Sequence, residues 1–141
     1  MQTQFTIKAI GYINSEYKER KHTPSQGKES KNSYGTIKML PEYKEGIKDL
    51  KVGMKITVIF CFHLSKGYTL TTRARLSPLP RGVFSTRSPD RPNSLGATDV
   101  EIIEIHNDKI RFLGADMLDG SPVIDIKPAI LCSLPKSDIE A

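Results

Sequence analysis

The chain has 141 residues, enough for one domain with a single core. No apolar run approaches the roughly 18 residues a membrane-spanning helix needs, so no such span is expected. A formal net charge of +5, from 21 Lys and Arg against 16 Asp and Glu, permits a polyanionic partner without demanding one.

The N-terminus MQTQFTIKAIG lacks a basic stretch followed by an apolar one, so no secretory signal is expected and the cytosol is the natural compartment. Phe5, Ile7 and Ala9 alternate as in a strand. Residues 17–33 are polar and predict a long loop, with Lys18, Arg20, Lys21, Lys28 and Lys31 forming one basic region. Residues 42–50, opened by Pro41, predict a helix that Gly46 weakens. The run MKITVIFCF (54–62) is rich in β-formers, and Tyr68-Thr69-Leu70-Thr71 continues that pattern. Residues 100–105 supply another strand. Asn107-Asp108 between Ile105 and Ile110 reads as a tight hairpin turn, because Asn and Asp tolerate positive φ. Val123 to Ile126 form a last short strand ended by Pro128, and residues 136–141 predict a frayed tail. Cys61 and Cys132 match no zinc or redox spacing, and Cys61, in an apolar run, reads as a buried free thiol. Short strands with frequent Gly and Pro predict a mainly β, single-domain, antiparallel β-barrel-like fold with one or two short helices and a core over about residues 5–135.

Chemistry concentrates in two blocks. The first, GVFSTRSPDRPNSLG, holds Arg87 and Arg91. Five of the chain's seven arginines (Arg73, Arg75, Arg81, Arg87, Arg91) fall in or just before it, with Asp90 the one acid among them. A planar fork of five donors suits carboxylate or phosphate. The second block, ADMLDGSPVIDIKP, brings Asp116, Asp119 and Asp125. A positive and a negative loop joined by strands look like two halves of one site. Each residue also has a plainer reading. Arg87 either binds an anion or pairs with Asp116 or Asp119. Asn93 and Asp119-Gly120 either act in a site or simply make turns. His63 either lines a pocket or ends a strand, and Asp125 with Lys127 forms a structural pair. The acid spacing is not that of a calcium loop, so no metal is expected. No G-x-G occurs, so nothing here points to a dinucleotide-binding crossover.

FSTRSPDRPNSLG followed by DMLDGSPVIDIKP resembles the signature of the TsaA-like, or TrmO, tRNA methyltransferases. Ile10-Gly11-Tyr12-Ile13, Thr23-Pro24-Ser25-Gln26-Gly27 and Phe62-His63 extend the likeness over almost the whole chain. The resemblance implies S-adenosyl-L-methionine (SAM) as cofactor and methyl transfer to N6 of threonylcarbamoyl-adenosine beside the anticodon of tRNA. It also implies a homodimer with the cofactor near the interface. Carried over, it places Pro24, Ser25, Gln26, His63, Leu64, Arg87, Ala97, Asp116, Met117, Leu118 and Asp119 around the cofactor, and His63, Arg91, Asn93 and Asp119 in catalysis. Ser25 stands where the family commonly has a basic residue, and Leu64-Ser65 where it often has a polar amide. The rival readings are a non-enzymatic RNA-binding barrel, against which stand the lack of Trp and of clustered aromatics, and a SAM-binding domain acting on another acceptor.

Overall fold

The computed structural model describes residues 1–16, 33–73 and 79–130. The expected loop with Pro24, Ser25 and Gln26, together with Arg75, Cys132 and the tail, lies outside these. Among the described residues eight strands run in chain order: β1 (Gly11–Ser15), β2 (Tyr34–Met39), β3 (Lys55–Cys61), β4 (Thr71–Arg73), β5 (Pro80–Gly82), β6 (Leu95–His106), β7 (Lys109–Leu113) and β8 (Pro122–Pro128). Six of them close in the order β1-β2-β7-β6-β3-β8. All the pairings are antiparallel, and the seam between β8 and β1 is short, Gly11 opposite Val123 and Tyr12 opposite Pro122. The barrel-like, mainly β architecture expected from the sequence is therefore present. β4 and β5 form a separate two-stranded ribbon.

Strand alternation sets the inside. Ile13, Ile37, Met39, Ile56, Val58, Phe60, Val100, Ile102, Ile110, Phe112 and Val123 point inward and are buried. Side chains fill a six-stranded interior of this kind, and each large one contributes about 1.5–3 kcal/mol by leaving water. The alternation slips twice. A bulge between Ile102 and Glu104 gives β6 one extra residue, and one at Ile59/Phe60 does the same for β8. The second is why Ile124-Asp125-Ile126 does not continue the inward pattern of Val123.

Four expectations need correction. Phe5 and Ile7 are exposed and outside any strand. The ring leaves no edge for them, since β1 already pairs with β2 and β8. The β4 strand starts only at Thr71, and the Thr69 N–H bonds instead to the Asp90 carbonyl at 3.4 Å. The expected helix is a 3-10 helix, Pro41–Ile47, with Pro41 at its start as anticipated. Around it, Tyr43, Lys48 and Leu50 each bond three residues back. Cys61 is a free thiol but only half-buried, because it ends β3 in an outward position. The Asn107-Asp108 hairpin turn is as read, with Asn107 at φ 58°.

Gly11, Gly35 and Gly96 each sit where an added Cβ would fall within 3 Å of another atom. A Cβ on Gly96 would sit 2.6 Å from Phe60 Cζ and 2.8 Å from Phe62 Cζ, two rings packed edge to face at 5.0 Å. Gly96→Ala should cost about 1–3 kcal/mol, the usual penalty of overpacking a core. Gly46→Ala, where the added methyl meets nothing within 4 Å, serves as the control. Thermal melts of both check this, and equal melting temperatures would contradict it.

Candidate active site

Antiparallel order places the ends of β1, β3 and β7 and the beginnings of β2, β6 and β8 at one mouth of the barrel. Both sequence blocks and His63 arrive there. The opposite mouth is closed by the Pro41–Ile47 helix, whose Lys44 contacts Asn107 of the hairpin turn.

The arginine-bearing loop is anchored by Val83, which is fully buried and opens a 3-10 turn, Val83–Ser85. From there hydroxyls satisfy the backbone locally. Thr86 Oγ1 donates to the Val83 carbonyl (2.9 Å) and accepts from the Ser88 N–H (3.2 Å), and Ser88 Oγ accepts from the Asp90 N–H (3.2 Å). Ser65 Oγ contacts the Pro89 carbonyl and Asp90 Oδ1 at 3.2 and 3.1 Å, tying in the segment after His63. Such short side-chain bonds hold Ser- and Thr-rich loops in one shape. Arg91 belongs to this scaffolding. Its Nη1 donates to the carbonyls of Thr86 (2.9 Å) and Ser88 (3.2 Å), so its guanidinium braces the loop from within.

Arg87 is placed differently. It is exposed, and its Nη1 donates to the Ala97 carbonyl at 2.9 Å rather than to a carboxylate. The next residue, Thr98, is buried and its hydroxyl contacts Asp116 Oδ2 at 3.3 Å. The first residues of β6 thus carry the basic loop on one side and the acidic loop on the other. Asn93 is exposed in the turn preceding β6.

The acidic loop is fastened to β1. Asp119 Oδ1 accepts from the Ser15 N–H (2.9 Å), Ser15 Oγ donates to the Met117 carbonyl (2.7 Å), and the Gly120 N–H donates to the Ile13 carbonyl (2.7 Å). Ser121 Oγ closes the turn on the Leu118 carbonyl at 2.7 Å. Gly120 has φ +84°, a conformation that favours glycine. The site a Cβ would take there lies 3.7 Å from His63 Nε2, so the imidazole stands beside the Asp119-Gly120 turn. Met117 and Leu118 are both buried, Met117 within the core cluster, and the Met117 and Leu118 carbonyls accept from Ser15 and Ser121. Leu64 is exposed. Asp125 pairs with Lys127 at 2.7 Å on the outer wall, as the sequence suggested. Among the described residues no group of His, Cys, Asp and Glu is arranged to hold a metal ion.

Sequence reading overlooked Ser15 and Thr98. Both are polar residues at the mouth end of an inward-facing alternation (Gly11-Ile13-Ser15 and Thr98-Val100-Ile102), and that position is the signal that marks them.

Residues 12–133 match the family model described as the tRNA-methyltransferase O N-terminal domain. The chain belongs to this family. A probable SAM-binding protein of Methanothermobacter thermautotrophicus is 39% identical over 125 residues, covering 89% of this chain and 90% of that one. The tRNA (adenine(37)-N6)-methyltransferase of Escherichia coli is 36% identical over 136 residues, 89% of this chain and 58% of that protein. The crystal structure of TrmO from Pseudomonas aeruginosa superimposes with a TM-score of 0.74 at 30% identity, over 91% of this chain and 57% of that one. The chain thus spans most of the first relative and well under two thirds of the other two. The family resemblance read from the two blocks is borne out, and within it the barrel supplies the framework where a crossover fold has no part.

Proposed function

We propose that this TrmO-family chain binds SAM at the mouth and transfers its methyl group to N6 of adenosine 37 of cytosolic tRNA, next to the anticodon and already threonylcarbamoylated. The observation that carries the reading is the convergence of the Arg87 loop and the Asp116–Gly120 loop on the start of β6. The residues present suit SAM. Arg87 is an exposed fork for the methionine carboxylate, Asp116 and Asp119 offer negative charge to the cationic groups, Leu64 gives an apolar surface for the adenine, and Gly120 presents bare backbone beside His63. When bound, SAM supplies an electrophilic methyl on a sulfonium. Arg87 and the acidic loop would hold SAM with its methyl toward the acceptor, so that N6 would take the methyl as the S–CH3 bond breaks and give its proton to a residue of the mouth.

The acylated N6 is a weak nucleophile, so a proton acceptor helps. Asp119 Oδ1 is engaged by Ser15, which assigns Asp119 to positioning and leaves His63 as the acceptor, with Asn93 on the turn whose Ser94 carbonyl accepts from the Phe62 N–H. Alignment and water exclusion provide the rest. SAM should bind in the low-to-mid micromolar range, roughly 7–8 kcal/mol. Calorimetric titration with SAM, followed by mass analysis of incubated tRNA, tests the reading. No binding at saturating SAM sinks it. Binding without tRNA methylation favours the second reading, a SAM-binding protein with another acceptor, which the name of the length-matched relative supports.

The working unit is a homodimer. Leu64, Tyr68, Leu70, Leu79 and Phe84 are 53–75% exposed around the arginine loop, and a lone two-stranded ribbon such as β4-β5 is marginally stable without cover. Light scattering should give about twice the 15.8 kDa chain mass, and Phe84→Glu should shift it toward monomer. A wild-type monomer with full activity at nanomolar concentration rejects this arrangement.

A further inference from the structure

The barrel's outer wall is electrically divided. β1, β2 and β7 are neighbours and contain three cations, Lys38, Lys109 and Arg111, and no carboxylate. β3, β6 and β8 carry Asp99, Glu101, Glu104 and Asp125 against Lys55 and Lys127. On the basic half, Tyr12 (45% exposed) and Tyr34 (48% exposed) point outward with the cations. The register sets them in a stripe. Tyr12 lies opposite Lys38, Lys38 opposite Lys109, and Thr36 between Asn14 and Arg111. The Arg111 guanidinium stands 4.9 Å from the centre of the Tyr34 ring. A recess of about 330 Å³ opens beside them, lined by Ser15, Tyr34, Thr36 and Arg111 among others. Glu16, Glu104 and Asp108, the last next to Lys109 in the hairpin turn, are acids that border the stripe.

We infer that this stripe is a second RNA-binding surface, which holds a strand of the tRNA substrate as it leaves the mouth; the inference rests on the tRNA reading above. Three features point to RNA. Cations spaced on a regular lattice without intervening acids match a phosphate backbone. Exposed tyrosines interleaved with them offer faces on which bases stack. Continuity is the third. The Tyr34 end of the stripe adjoins Ser15, which is bonded to Asp119 and Met117 of the site. From there to Lys38 the stripe extends four residues along β2, about 13 Å at the rise of a strand. The missing Trp and scattered aromatics fit a supporting track rather than a self-sufficient RNA-binding module.

The test uses full-length tRNA carrying the threonylcarbamoyl group, with binding read by fluorescence anisotropy and methylation by labelled SAM. The Lys38→Ala, Lys109→Ala, Arg111→Ala triple variant should lose about tenfold or more in tRNA affinity. Its plot of log affinity against log salt should flatten by about two to three units. SAM affinity and turnover at saturating tRNA should stay at wild-type values. Tyr34→Ala should lose about fivefold or more, and Tyr34→Phe should recover it, since stacking needs the ring and not the hydroxyl. Lys55→Ala with Lys127→Ala, on the acidic half, should change nothing. Circular dichroism confirms that each variant folds. If wild type methylates tRNA and the folded triple variant binds it equally well with the same salt slope, the stripe is no RNA surface and the proposed function stands. If wild type binds no tRNA, both fall together.

Discussion

Arg87→Ala should weaken SAM binding by about 1.5–3 kcal/mol, roughly 10- to 150-fold, while leaving the melting temperature nearly unchanged. The size follows from losing a charge-assisted bond to the carboxylate. The unchanged stability follows from where the side chain lies. Arg87 is exposed and makes one internal hydrogen bond, to the Ala97 carbonyl, which water can replace. Arg87→Lys should recover only part of the affinity, because an ammonium cannot bond Ala97 and grip a carboxylate in one plane. Arg91→Ala gives the contrast. Its guanidinium holds the Thr86 and Ser88 carbonyls, so its loss should loosen the whole loop and lower stability, SAM affinity and turnover together. Calorimetric titration and thermal melts of the three variants separate these outcomes. Arg87→Ala binding SAM as wild type does would reduce Arg87 to a loop brace like Arg91.

This contrast shows where sequence reading stopped. The meeting of the two blocks at one mouth was legible, because charge and turn chemistry are local properties and strands on either side fix where loops meet. The β-rich run of β3, the β6-β7 hairpin and the start of β8 were legible for the same reason. Arg87 and Arg91, four residues apart in one motif, were not distinguishable, since only the folded loop decides which guanidinium turns inward to carbonyls. The burial of Met117 and Leu118 was not legible either, since their place in a turn motif gives no sign of it. β1 and β2 were missed because short strands with Gly11 and Gly35 carry little propensity and are made by pairing around the ring. Phe5-Ile7-Ala9 had the right alternation and no free edge to join.

Methyl transfer should require tRNA that already carries the threonylcarbamoyl group. Acylation draws the N6 lone pair into the adjoining carbonyl, which makes N6 a poorer nucleophile but also loosens its proton, and it adds a carboxylate near the reacting atom. A mouth with an exposed arginine fork and an imidazole beside the Asp119-Gly120 turn matches those two changes. An unmodified adenine gives such cations nothing to hold and keeps its N6 protons firmly. With labelled SAM, tRNA from cells that make the modification should therefore take up label, and tRNA from cells lacking it should take up almost none. Adding salt should depress labelling of the modified tRNA steeply, because many phosphate contacts are screened at once while SAM binding rests on few charges. His63→Ala should lower turnover on the modified tRNA by about 10²–10⁴-fold, the range for losing a general base, with SAM affinity changed much less. Equal labelling of the two tRNA pools removes the requirement for the acyl group and leaves adenosine itself as the acceptor. Labelling of neither moves the acceptor elsewhere, with the Leu64-Ser65 departure from the family pattern as the first place to look.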